Sequence, residues 1–167
     1  MSEHDKFMAI AMEEALAGVK EGEQPFGACV VRDGEVICRA HSIKVNTHNI
    51  TAHAETRAVG LATEALKINS LAGCTFYSVC EPCPMCCGAI LNSQVSALVL
   101  GARLANLKNF SGDQFSSGQY DGGTFDFHEY SAERLAELVG SKIQVIEGVM
   151  EEECENLYRN AQGKLSR

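Results

Sequence analysis

Two short stretches constrain this chain more than anything else in it: Thr51-Ala52-His53-Ala54-Glu55 and Glu81-Pro82-Cys83-Pro84-Met85-Cys86. Each stands where a helical pattern begins. Thr51 is placed to cap a helix expected to reach about Leu66, and Met85 to Asn92 reads as another. Cysteines three apart at a helix start can turn both sulfurs towards one point. An imidazole in the opening turn of a second helix joins them only if the two helices begin side by side at one edge of a sheet. Thiolate and imidazole are good zinc ligands, and three protein ligands leave a fourth position for water. His53, Cys83 and Cys86 are therefore expected to hold one Zn2+ per chain. The positive ends of the two helix dipoles would favour thiolate there. Glu55, two residues past His53, points elsewhere. A carboxylate beside an activated water suits general acid/base catalysis.

The order of elements fits such a meeting. Phe7, Ile10, Ala11, Ala15 and Val19 recur at helical spacing over residues 3 to 20, with Ser2 as N-cap and Asp5 three residues on. FGACVV and EVICRAHS flank Asp33-Gly34, a strong hairpin signal. Residues 44 to 50 read as a polar loop, Thr75 to Val79 as a strand, and Val95 to Leu100 as a strand buried on both faces. Residues 109 to 123, rich in Gly, Ser and Asp, read as a surface loop. A short helix near Ser131 to Val139, a strand at Lys142 to Ile146 and a helix from about Met150 to Ala161 follow. The alternation predicts one α/β domain over residues 1 to 167, a three-layer α-β-α sandwich around a mixed five-stranded sheet. Crossover helices require some of its strands to be parallel.

Composition narrows the function. Eight cysteines would suggest disulfides in a small secreted domain, but the start MSEHDKFMAIAMEEALAG is polar and acidic and does not read as a signal peptide. Reduced thiols, metal ligation and a cytoplasmic setting are expected instead. No apolar run approaches the roughly 18 to 20 residues that cross a bilayer. The net charge is −8, and Lys and Arg nowhere cluster as phosphate backbones require, which weighs against a large nucleic-acid partner.

The same residues admit other readings. A redox Cys-x-x-Cys pair leaves His53 and Glu55 without a purpose. A structural zinc site wants a fourth ligand, yet Cys87 lies about 100° round the helix from Cys86, and Cys80 ends a strand. Cys29, Cys38, Cys74 and Cys154 read as small core residues, while His4, His41 and His48 have no partnered spacing. His128, in Phe125-Asp126-Phe127-His128 after the Gly-rich stretch, is either an element boundary or a substrate contact. Phe26 and Tyr158 are core aromatics or walls of a pocket.

His53-Ala54-Glu55 followed by Pro82-Cys83-x-x-Cys86 resembles the signature of the cytidine deaminase superfamily. Pro25-Phe26-Gly27-Ala28, Gly88-Ala89-Ile90 and Gly101-Ala102-Arg103 are similar to the branch containing cytosine deaminase, guanine deaminase and tRNA adenosine deaminase. The likeness is good over residues 5 to 108 and looser at Glu147-Gly148-Val149 and Glu153-Cys154. It implies the cytidine-deaminase type of sheet, a homodimer and a hydrolytic deaminase releasing ammonia. Activated water would attack the ring carbon bearing the amino group, with Glu55 moving protons to the ring nitrogen and the departing amine. The backbone near Ala54 and Cys83 would bind the nascent oxygen, and Phe26, Ser42, Ala54, Pro82 and His128 are the implied substrate contacts. Two departures bear on the substrate. Related deaminases carry Asn eleven residues before the ligand His, where Ser42 stands here; Asn49-Ile50-Thr51 lacks the usual proline. The expected function is deamination of a small nucleobase-like heterocycle, of cytosine or guanine type. Editing of tRNA wobble adenosine is the alternative, and a zinc-stabilised binding module the non-enzymatic one.

Overall fold

A computed structural model describes residues 2–107 and 129–165. Helix α1 (Glu3–Lys20) starts at a capping box, Ser2 Oγ accepting from Asp5 N at 3.1 Å while Asp5 Oδ2 accepts from Ser2 N at 2.6 Å. Strands β1 (Gly27–Arg32) and β2 (Glu35–His41) form the expected hairpin. Asp33 and Gly34 between them both have positive φ, 52° and 78°, as a two-residue turn matching strand twist requires. The remaining elements are α2 (Lys44–Thr47), α3 (Ala54–Leu66), β3 (Cys74–Cys80), α4 (Pro84–Asn92), β4 (Ala97–Ala102), α5 (Leu104–Leu107), α6 (Ala132–Leu138), β5 (Gln144–Ile146) and α7 (Glu151–Leu165).

Sheet order is β2-β1-β3-β4-β5. β1 is antiparallel to β2 and β3, whereas β3, β4 and β5 run parallel, so the sheet is mixed as expected. Side chains alternate between two cores along each inner strand. Cys29 and Val31 of β1 and Val99 of β4 face α1 and α7, packing with Phe7, Met8, Cys154 and Leu157. Ala28, Val30, Leu98 and Leu100 face the opposite layer, with Ala58 and Ala62 of α3 and Ile90 of α4. This is the three-layer sandwich. Cys29, Cys74 and Cys154 are fully buried in these cores, as their small-hydrophobe reading predicts.

Register decides where chemistry can happen. Gly27 pairs with His41, Ala28 with Ser78, and Cys80 with Ala102. The start of β1 and the ends of β2, β3 and β4 therefore share one edge of the sheet. That edge collects Phe26, Ser42, Glu81 and Arg103 in space, although they are far apart in sequence.

Two expectations need correction. Helix α3 is capped by His53, not Thr51. The Thr51 hydroxyl and N–H both donate to Asn49 Oδ1, at 2.8 and 3.0 Å, which draws Thr51 into a turn before the helix. Residues 44 to 50 are not all loop either. Glu23, fully buried, accepts from Val45 N at 3.1 Å and Asn46 N at 2.8 Å and so holds the first turn of α2. His128 and most of the 109 to 130 stretch lie outside the described residues. No described helix is long and apolar enough to cross a membrane.

Gly27 has no room for a side chain. A Cβ there would overlap the Ala11 carbonyl oxygen and come within 2.6 Å of Ala15 N, both backbone atoms of α1. Gly27→Ala should therefore lower stability by about 1–3 kcal/mol, read as a lower midpoint in thermal or urea denaturation. A midpoint unchanged from wild type would show that α1 packs more loosely on β1 than this.

Candidate active site

α3 and α4 begin side by side, and each is capped by a residue unusual for that position. His53 (φ −73°, ψ 158°) and Cys83 (φ −62°, ψ 166°) have the extended backbone of N-caps, and Pro84 occupies the first turn of α4. Neither side chain makes a capping hydrogen bond. Both turn towards each other and towards Cys86, one turn into α4.

His53 Nδ1 lies 3.8 Å from Cys83 Sγ and 3.4 Å from Cys86 Sγ, and the two sulfurs are 3.5 Å apart. These are the only three residues among those described whose side chains group as metal ligands. With Zn–S near 2.3 Å and Zn–N near 2.0–2.1 Å, a tetrahedral ion would place sulfurs about 3.8 Å apart and sulfur about 3.5 Å from nitrogen. The observed triangle fits. Its electrostatics suit a cation as well. The thiols titrate as a pair. Cys83 is pushed down to about 4, chiefly by the hydrogen bond from Cys86 and then by His53, while Cys86 is pushed up as holder of the remaining proton. Cys87 faces the core on the far side of α4 and Cys80 is buried at the end of β3, so neither closes the fourth position.

Glu55 is 4% exposed, on the first turn of α3 beside the triad. Burial raises its pKa, and the neighbouring Cys83 thiolate adds to the shift. Ser78 Oγ lies 2.7 Å from the Cys80 carbonyl and 3.4 Å from Glu55 Oε1. Its one proton serves the nearer carbonyl, which leaves a lone pair facing Glu55.

A cavity opens onto these groups, lined by Gln24, Phe26, Ser42, His53, Glu55, Glu81, Cys83 and Leu104. Phe26 and Ser42 are thus part of its wall. Ala54 and Pro82 do not line it; both side chains are buried, Ala54 in the core beneath α3. Tyr158 supports the wall from behind, edge-on to Phe26 with ring centroids 5.4 Å apart. Gln24, Ser78 and Leu104 carried no local signal as site residues, since only strand register brings them here. The Ser42 hydroxyl is engaged by buried Glu23 (3.4 Å) and by Lys44 N (3.3 Å), which fixes its position.

A His/Cys/Cys metal triad with a buried glutamate beside it, on the edge of a mixed sheet between helices, defines the class of metal-dependent hydrolytic deaminases. The chain belongs to the cytidine and deoxycytidylate deaminase zinc-binding family, which matches residues 1–102. A tRNA-specific adenosine deaminase of Bacillus subtilis is 34% identical over 154 residues, 92% of this chain and 85% of the relative. A guanine deaminase of the same organism is 38% identical over 100 residues, 59% of this chain and 64% of the relative. The solved guanine deaminase of Nitrosomonas europaea superposes with a TM-score of 0.78 at 24% identity, covering 95% of this chain and 84% of that one, a likeness of fold.

Zinc held by the folded triad should stabilise the protein, by about 2.7 kcal/mol when free zinc is 100 times its Kd. Thermal denaturation with and without a chelator measures this, and His53→Ala should abolish the difference. A midpoint insensitive to zinc would leave the triad without a metal.

Proposed function

We propose that the chain is a zinc-dependent deaminase of a small amino-heterocycle of guanine or cytosine type, with His53, Cys83 and Cys86 as metal ligands and Glu55 as the proton carrier. The observation that carries the chemistry is the placement of Glu55, a buried carboxylate of raised pKa beside three converging ligands. When bound, zinc supplies Lewis acidity that lowers the pKa of water from 15.7 to about 7. Glu55 takes a proton from the attacking water and gives it to the ring nitrogen next to the amino-bearing carbon. A second proton goes through the same carboxylate to the amine, which leaves as ammonia while the ring carbon becomes a carbonyl. In this mechanism backbone N–H groups near Ala54 and Cys83, at the starts of α3 and α4, receive the developing oxyanion. Phe26 offers a face for stacking, and Ser42 a short polar contact.

For the substrate, the net charge of −8 and the aromatic wall at Phe26 support a free base. The guanine deaminase relative agrees with that choice. A second reading, adenosine in tRNA, is favoured by the tRNA-specific relative, which aligns over more of the chain. The homodimer implied by the resemblance belongs to this reading and is checked by sedimentation velocity.

Glu55→Gln should keep its zinc by elemental analysis and lose about 10²–10⁴-fold in ammonia release. Retained turnover would remove the enzymatic role of Glu55; a wild type that turns over nothing would leave a zinc-stabilised binding module. Across guanine, cytosine, aminotriazines and transcribed tRNA, activity on at least one free base is expected. Activity on tRNA alone would overturn the free-base assignment in favour of the second reading.

A further inference from the structure

The turn that delivers Cys83 to the metal triad is held at three points. Glu81 N donates to the Ala102 carbonyl at 2.8 Å, joining the ends of β3 and β4. The Glu81 carboxylate, 3% exposed, accepts from Arg103 Nη1 at 2.9 Å, from Ala132 N at 2.9 Å and from Leu104 N at 3.3 Å. The Pro82 carbonyl, one residue before the ligand, accepts from Tyr130 Oη at 2.5 Å. Both Glu81 oxygens are thereby occupied. Although Glu81 lines the cavity, its carboxylate is turned to protein donors and is not offered to a ligand.

Arg103 is the centre of this clamp. Beyond Glu81, its guanidinium reaches Glu133 (Nη1 3.0 Å, Nη2 2.5 Å) and Glu147 (Nε 2.8 Å, with Nη2 also in contact). One planar group thus ties together the ends of β3, β4 and β5 and the start of α6. A guanidinium does this and an ammonium does not, because five donors in a fixed fork can serve three carboxylates at once. Residues next to a metal ligand act by limiting where that ligand can go, and losing such a partner typically costs 10–100-fold in metal affinity.

We propose that Arg103 is a positioning residue for the metal triad, acting through Glu81 on the turn that carries Cys83, with Tyr130 holding the same turn at the Pro82 carbonyl. The proposal rests on the metal site proposed above. Arg103 touches neither a metal ligand nor the cavity, so its effect is on where Cys83 Sγ stands. Of the two ligands on α4, Cys83 is the one exposed to this slack, because Cys86 is held inside the helix.

The test is zinc retention by the full chain, measured as chelator-competed affinity and release rate, with Co2+ loading as a report on coordination. Wild type, Arg103→Met, Arg103→Lys, Tyr130→Phe and Leu71→Ala are compared. Leu71 lies in the core at the opposite end of β3 and controls for loss of stability alone. Arg103→Met should bind zinc about 10–100-fold more weakly and show an altered Co2+–thiolate absorption. Arg103→Lys, which keeps the charge and loses the fork, should fall between it and wild type, and Tyr130→Phe should release zinc faster. Leu71→Ala should lower the melting midpoint and leave zinc affinity within about twofold. Should Arg103→Met fail to fold, Arg103→Lys and Tyr130→Phe decide: wild-type affinity and release in both overturns the proposal. So does a loss in Leu71→Ala equal to that in the Arg103 variants. A wild type that binds no zinc fails the metal site itself and is recognised before any variant is compared.

Discussion

The structure depends on two helices beginning at the same place. α3 follows the hairpin and α4 follows β3, and both start at the sheet edge where β3 ends, so their N-terminal dipoles converge. The positions that ordinarily satisfy a helix start are given to His53 and Cys83, which cap nothing. Where the two helix starts meet, the hydrogen bond from Cys86, with His53 beside it, lets Cys83 give up its proton easily. Glu55 is the exception that makes the corner chemical, an acid held in a place that discourages its charge.

The change of strand direction inside the sheet does the rest. Because β1 runs against β3, the chain enters β1 at the edge where β3 leaves, and Phe26 is delivered beside the ligands as the last residue before the strand. β2 returns to the same edge and brings Ser42. An all-parallel sheet would put the start of β1 at the opposite edge and leave the cavity without its aromatic wall.

What was legible in the sequence follows from how local each signal is. The convergence of His53, Cys83 and Cys86, with Glu55 beside them, could be anticipated because such residue types close to a helix start point to one metal site. The Asp33-Gly34 turn and the two-faced strands were legible because their signals are local too. Glu23 was not, since a glutamate becomes a buried cap for α2 only when residues 45 and 46 fold back over it. The Thr51 cap was misplaced by two residues because His53, which has no capping propensity, occupies the cap for another purpose. Arg103 belongs to the Gly101-Ala102-Arg103 motif, but its partners Glu81, Glu133 and Glu147 are distant along the chain and meet it only through the fold.

The missing side chain at Gly27 has a consequence for redesign. With the α1 backbone pressed against that position, the start of β1, next to Phe26, has nowhere to retreat. A version of this protein that accepts bulkier rings would have to be made by trimming Phe26 or Leu104 at the cavity surface, because swelling the scaffold behind them is closed off. Selection for larger ligands should accordingly concentrate its changes in those two side chains and leave the first helix untouched.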